Sequence, residues 1–173
     1  MQERTGLVTF KGQPVTLVGT EVKVGDQAPD FTAVKQDLSE FRFSELADKF
    51  IVLSVAPSLD TKVCELQTVR FNHEASSLHE DVEVVAITVD LPFAQKCFCE
   101  SFLIDQVQVV SDHRDLDFGH KYGLVMKELR LLARTVIIID KNKTVRYLDM
   151  NAEIGTEPNY DQALAVLREI TTE

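Results

Sequence analysis

Cys64 closes the stretch Pro57-Ser58-Leu59-Asp60-Thr61-Lys62-Val63-Cys64, and the residue types ahead of it suit a reactive sulfur. Val63, Leu66, Val69 or Arg70, and Phe71 recur every three to four residues, so the spacing predicts a helix with Cys64 just inside its start. The first turn of a helix has backbone N–H groups without partners and a partial positive charge. Both favour a thiolate, the nucleophilic form of cysteine. Asp60 or Thr61 can serve as N-cap. The Thr61 hydroxyl lies one helical turn before the sulfur, within reach of it or of a substrate. Pro57 offers no N–H and can wall a pocket against water. The plainer alternative is a buried helix cysteine packed as a small hydrophobe. Position alone does not separate the two.

A buried strand must lead into this loop. Residues 50–56, Phe-Ile-Val-Leu-Ser-Val-Ala, are mostly β-branched or aromatic and stop at a proline. The helix after Cys64 is expected to reach about residue 78. Residues 82–90 and 108–111 read as two further core strands. Between them Asp90 and Pro92 predict an N-cap and an early-turn proline for a helix through about residue 102. Residues 115–122 read as a helix ended by Gly123. Residues 135–140 form the last strongly apolar strand, and Lys141-Asn142-Lys143 turns it into an antiparallel partner at 144–150. Residues 160–170 close the chain as a helix with Ala163, Leu164, Leu167 and Ile170 on one face. Ahead of all this, residues 7–10 and 15–18 flank Lys11-Gly12-Gln13-Pro14 and predict a β-hairpin. Short strands are expected near 31–34 and 41–43, with a brief helix at 44–47 capped by Ser44. The fold class is α/β: a mixed sheet flanked by helices, with an N-terminal hairpin added.

The chain has 173 residues, a length that suits one domain spanning 1–173, with 1–19 as a hairpin extension. A chain of this size buries about two-thirds of its unfolded surface and needs no metal or disulfide staple. The net charge is −10, from 18 Lys and Arg against 28 Asp and Glu, which argues against nucleic acid and anionic membrane surfaces as partners. No basic segment followed by an apolar core opens the chain, and no apolar run approaches a membrane span. A cytoplasmic location is expected. In a reducing compartment, sparse cysteines are more often catalytic or metal-binding than structural.

Three cysteines are present, Cys64, Cys97 and Cys99. Cys97 and Cys99 fall on the helix after Pro92, whose apparent apolar stripe is Leu91, Ala94, Phe98 and Phe102. On a helical wheel the two cysteines lie about 100° to either side of Phe98. The wheel leaves open which of them faces inward. A metal site would need Cys97 and Cys99 to be completed by His73, His79, His113 or His120, none of which has ligand spacing. A dithiol reductase would need a second cysteine three residues from Cys64, and none is there.

The pattern P-x-x-x-T-x-x-C after a buried strand resembles the active-site motif of the peroxiredoxin family, and Pro-Ser-Leu-Asp-Thr-x-Val-Cys resembles its thiol peroxidase branch. Further likenesses follow in the same order. Val24-Gly25-Asp26-Gln27-Ala28-Pro29-Asp30-Phe31 resembles the family's G-x-x-A-P-x-F opening, and Gln67-Thr68-Val69-Arg70-Phe71-Asn72 the rest of its catalytic helix. Residues 90–99 resemble the second-cysteine segment, 128–134 the stretch with the active-site arginine, and 156–164 the start of the last helix. Lys62 departs from a motif position that is often small, and Cys97 is an additional thiol.

The resemblance implies a thioredoxin-like fold and a thiol-dependent peroxidase that reduces hydrogen peroxide and organic hydroperoxides, with a taste for alkyl or lipid substrates. It implies Cys64 as the peroxidatic residue, Thr61 and Arg134 as donors to the peroxide, and Pro57 beside them. It implies Cys99, directly after Phe98, as the resolving partner in an intramolecular disulfide with Cys64, and Cys97 as a half-buried bystander. Thioredoxin as reductant, a homodimer and no bound cofactor are implied as well. Alone, Arg134 would read as an arginine in a surface ion pair, and Arg130 and Arg70 are the other candidates for a guanidinium. The rival from another class is a redox-sensing or holdase-like binding module that uses the same cysteines without turnover.

Overall fold

The structure is a computed structural model and describes residues 1–173. In chain order the elements begin with the hairpin β1 (Glu3–Phe10) and β2 (Gln13–Val18), then β3 (Thr32–Val34) and β4 (Glu40–Arg42). Next come β5 (Phe50–Val55), α1 (Lys62–Ala75), β6 (Val82–Thr88), α2 (Pro92–Phe102), β7 (Gln108–Ser111) and α3 (Asp117–Tyr122). The chain ends with β8 (Val125–Met126), β9 (Leu131–Leu132), β10 (Thr135–Ile139), β11 (Val145–Met150) and α4 (Tyr160–Thr171).

Seven strands form the main sheet in the order β11-β10-β5-β6-β7-β3-β4. β5, β6 and β7 are parallel, and β10, β11, β3 and β4 join antiparallel. The sheet is therefore mixed and flanked by helices, as the alternation of elements predicts. β5 lies at its centre, and its apolar run is covered on both faces. Ile51, Leu53 and Val55 enter one core, shared with Phe31, Val85 and Ile87. Val52 enters the other, shared with Phe71, Val84, Ala86 and Cys99. Each such side chain contributes about 1.5–3 kcal/mol on burial.

The N-terminal hairpin belongs to a second sheet, β1-β2-β8-β9, of which only the hairpin is expected from the sequence. β8 and β9 are two residues each, too short to show a period. The hairpin packs Val8, Val15 and Leu17 on Met126, Ala133 and Ile154. It also grips the 152–154 segment, through Thr9 N to Ala152 O at 2.7 Å and Ile154 N to Thr9 O at 2.9 Å.

Several local expectations are corrected. The brief helix after β4 is a 3-10 turn, Phe43–Glu45, with no side-chain cap. α1 stops at Ala75 rather than near residue 78. The N-cap of α2 is Leu91, not Asp90. The Asp90 carboxylate instead accepts from Ser58 Oγ (2.6 Å), Leu59 N (2.7 Å) and Thr88 Oγ1 (2.7 Å), tying the loop before α1 to the end of β6.

The buried faces of both central helices also differ from expectation. α1 turns Cys64, Gln67, Thr68 and Phe71 inward and leaves Leu66 and Val69 exposed. α2 buries Pro92, Gln95 and Cys99, while Leu91, Phe93 and Phe102 are exposed. Gln67 is buried with both ends of its amide partnered, which removes the penalty that normally keeps such groups outside; Gln95 is partnered only through Nε2, which donates to Thr88 Oγ1 and Val110 O, and its Oε1 is buried without a partner.

Candidate active site

α1 begins at Thr61, whose backbone is extended (φ −128°, ψ 150°), and Glu65 N donates to Thr61 O at 2.9 Å. Thr61 thus holds the N-cap position, and Cys64 is the third residue of the helix. Yet the Thr61 side chain makes no cap hydrogen bond to the helix. Its Oγ1 lies 2.7 Å from Cys64 Sγ and 3.2 Å from Ser58 O. A cap would normally be worth about 1 kcal/mol. Here the hydroxyl serves the sulfur, and the N–H groups of the first turn are left without a side-chain cap.

Arg134 reaches the same sulfur from the start of β10. It is buried at 2% exposure, the reverse of a surface ion pair. Nη2 donates to Cys64 Sγ at 3.2 Å, Nη1 to Gln67 Oε1 at 2.8 Å, and Nε to Ile154 O at 2.8 Å. Gln67 is completely buried and passes the restraint on, its Nε2 donating to Ser54 Oγ at 2.8 Å and Val55 O at 3.3 Å. A planar guanidinium with three fixed acceptors has little rotational freedom. Neither Arg70 nor Arg130 contacts the sulfur. Arg70 pairs with Glu74 and Asp161 and lies over the Tyr160 ring.

The Cys64 side chain is fully buried. A cavity of about 220 Å³ lies against the residues that contact it, lined by Pro57, Ser58, Thr61 and Arg134 together with Phe10, Leu131 and Ile154. Both groups that touch the sulfur, Thr61 and Arg134, are therefore open to this space. Phe10 comes from the hairpin, and Ile154 from the segment the hairpin grips. Glu153 secures that segment: it accepts from Thr9 Oγ1, Lys11 N and Gly12 N, and these bonds, Thr9 first, hold its carboxyl below the usual range.

Cys99 lies elsewhere in the core, at 8% exposure, and its Sγ accepts from Gln36 Nε2 at 3.3 Å. Burial raises its thiol pKa, the Gln36 bond opposes that rise, and the Glu100 charge adds to it. Cys97 is exposed rather than half-buried, in a groove with Ser58, Leu59, Asp90 and Phe98. All three thiols are free. No cluster of three or more His, Cys, Asp or Glu side chains is arranged to hold a metal ion, and no helix is long and apolar enough to cross a membrane.

The structure thus brings Thr61 and Arg134 onto the Cys64 sulfur, lines one cavity with Pro57, Thr61 and Arg134, and leaves Cys99 outside it. Gln67, Ser54, the Ile154 carbonyl and Phe10 join the site without having been marked as site residues by any motif in the sequence. Gln67 was within reach, three residues after Cys64 and so on the same helix face.

Residues 23–164 match the family model described as Redoxin. The chain is 50% identical over 160 residues to the thiol peroxidase of Oceanobacillus iheyensis, spanning 92% of this chain and 97% of that one. It is 51% identical over 157 residues to the thiol peroxidase of Bacillus subtilis, spanning 91% and 93%. Among solved structures, the fold is similar to a peroxiredoxin-like protein from Aquifex aeolicus, with TM-score 0.89 and 45% identity over 96% of this chain and 98% of that one. The thiol peroxidase of Chromobacterium violaceum shares the fold, with TM-score 0.84 at 18% identity over 95% and 97%.

Proposed function

The chain belongs to the redoxin family, as an enzyme of the thiol peroxidase branch of the peroxiredoxins, and from that premise we propose that Cys64 is its peroxidatic residue and Cys99 its resolving residue. One observation carries the reading. Two independent donors, the Thr61 hydroxyl and the Arg134 guanidinium, converge on one buried sulfur at 2.7 and 3.2 Å beside a cavity.

In the first step Cys64 Sγ attacks one oxygen of the hydroperoxide. An S–O bond forms, the O–O bond breaks, and the other oxygen leaves as alcohol or water after taking a proton. Negative charge moves from the sulfur to the leaving oxygen. Arg134 Nη2 and Thr61 Oγ1 already face the sulfur and need little rearrangement to follow that charge. The largely apolar cavity beside Pro57 suits the organic group of an alkyl hydroperoxide, and hydrogen peroxide is small enough to enter the same space. In the second step the Cys99 thiol condenses with the Cys64 sulfenic acid, giving a disulfide and water. A dithiol reductant of the thioredoxin type then returns both cysteines to thiols. A homodimer, which the family resemblance implies, is part of the same proposal.

Peroxide consumption with a thioredoxin system tests this. Wild type and Cys97→Ser turn over. Cys64→Ser is inactive, and Cys99→Ser completes one turnover and stalls at the sulfenic acid. Consumption by Cys64→Ser would overturn the peroxidatic assignment. Stalling of Cys97→Ser with normal turnover of Cys99→Ser would make Cys97 the resolving thiol. Oxidation without turnover in wild type would favour a redox-sensing module.

A further inference from the structure

α2 has little of its own to keep it wound. Its sequence carries Phe93, Phe98, Phe102, Cys97 and Cys99, residue types of modest helix propensity. No side chain caps its start, its first turn has no acidic residue, and its last turn has no basic one. It ends at Leu103 in the left-handed region (φ 53°), where glycine is the usual choice and a side chain is strained. Leu103 N and Ile104 N both close on the carbonyl oxygen of Cys99, so the cap is built on that residue. α4, by contrast, has an Asn159 side chain capping its first turn.

Two side chains from outside the helix hold this cap. Gln36 donates to Cys99 Sγ at 3.3 Å from the β3–β4 turn, itself closed by Lys35 N to Ser39 O and Leu38 N to Lys35 O, both 2.9 Å. Asn72 lies in the last part of α1. Its Oδ1 accepts from Asp105 N (3.1 Å) and Gln106 N (2.7 Å), and its Nδ2 donates to Leu103 O (3.4 Å). The peroxide chemistry uses neither residue.

We propose that Gln36 and Asn72 are a latch on the resolving thiol: positioning residues that keep Cys99 seated in the reduced enzyme and set how fast α2 opens to deliver it. The proposal rests on the reading of Cys99 as resolving residue. In the reduced state Cys64 Sγ faces Thr61 and Arg134 while Cys99 Sγ faces Gln36. Condensation therefore requires the Gln36 bond to break. As the S–S bond forms, the S–O bond of the sulfenic acid breaks, and its oxygen leaves as water with the Cys99 proton. While the latch holds, the sulfenic acid is open to a second hydroperoxide, which converts it to the sulfinic acid and is itself reduced to alcohol or water. The strength of the latch thereby sets the peroxide level at which the enzyme inactivates.

The test follows the two steps separately in the full chain. Reduced protein is mixed with hydrogen peroxide, quenched with dimedone and an alkylating agent, and the species are counted by mass spectrometry. Gln36→Leu and Asn72→Ala form the sulfenic acid at the wild-type rate but close the disulfide about fivefold faster, the factor for one net hydrogen bond. The peroxide concentration that half-inactivates them rises in step. Leu103→Gly relieves the strained cap and moves both readouts the other way. Disulfide closure that is unchanged or slower in either latch variant overturns that residue's part, and faster closure in Leu103→Gly overturns the opening of the cap as the controlling event. An intramolecular disulfide in Cys99→Ser, with the latch residues intact, would instead remove the resolving role on which the proposal stands.

Discussion

Replacing Arg134 with Met separates the chemical from the structural work of one buried guanidinium. The methionine keeps most of the apolar stem and removes the donors to Cys64 Sγ, Gln67 Oε1 and Ile154 O. Losing one donor aimed at developing oxyanion charge costs about 10²–10³ in rate, or about 2.7–4 kcal/mol. Folding stability responds to opposing effects. Two buried acceptors lose their partner, at about 1–3 kcal/mol each. Against that, the folded state no longer desolvates a guanidinium, itself a penalty of several kcal/mol. These nearly cancel, so Tm is expected to shift by only a few degrees. The assay is quenched-flow counting of the Cys64 sulfenic acid at several peroxide concentrations, beside a thermal melt. Gln67→Leu is the internal control: it leaves Arg134 bonded to the sulfur and to Ile154 O, and about a tenfold loss is expected. A rate for Arg134→Met within threefold of wild type would refute the reasoning, as would a rate loss accompanied by collapse of the fold.

Two further perturbations probe the surroundings. Asp112 is buried, and although it accepts from Phe118 N and Gly119 N, burial pushes its pKa up to about 7, with Asp117 and Asp115 adding to the rise. A carboxyl raised in the folded state contributes stability that is complete below about pH 4 and is lost as pH rises to about 7. Urea midpoints should therefore fall over that window in wild type and fall less steeply in Asp112→Asn; parallel curves would exclude Asp112 as the source. Phe10→Ala removes one apolar wall of the cavity. It is expected to lower kcat/KM for cumene hydroperoxide by about tenfold, the effect of roughly 1.4 kcal/mol of lost apolar contact, and for hydrogen peroxide far less. Equal losses for both substrates would exclude Phe10 from substrate contact.

The strands of the main sheet are announced by their apolar runs: residues 50–55, 82–88 and 135–139 are buried on both sides of the sheet, where continuous hydrophobicity is required. The helices were harder to read. By hydrophobicity Leu66 and Phe102 belong inside, whereas the interior takes Gln67, Gln95 and Cys99. Periodicity does not show which polar side chains find partners in the fold. Asp90 has the residue type and position of a cap, yet a loop about 30 residues earlier in the chain claims its carboxylate. At the site, Cys64, Thr61 and Pro57 are legible because they share one short stretch. The Ile154 carbonyl is not, because any residue supplies a carbonyl and only the hairpin's grip on residues 152–154 aims this one at Arg134.

The pairing of β2 with β8 also bears on synthesis. Val18 pairs with Val125 and Leu17 with Met126, whereas β1 and β2 adjoin and can pair as soon as they are made. A ribosome must therefore add about a hundred residues, at about 5–20 per second, while the outer edge of β2 has no native partner. An unpaired strand edge is a template for other chains. A growing chain of this protein is thus most exposed to aggregation before residue 125 emerges.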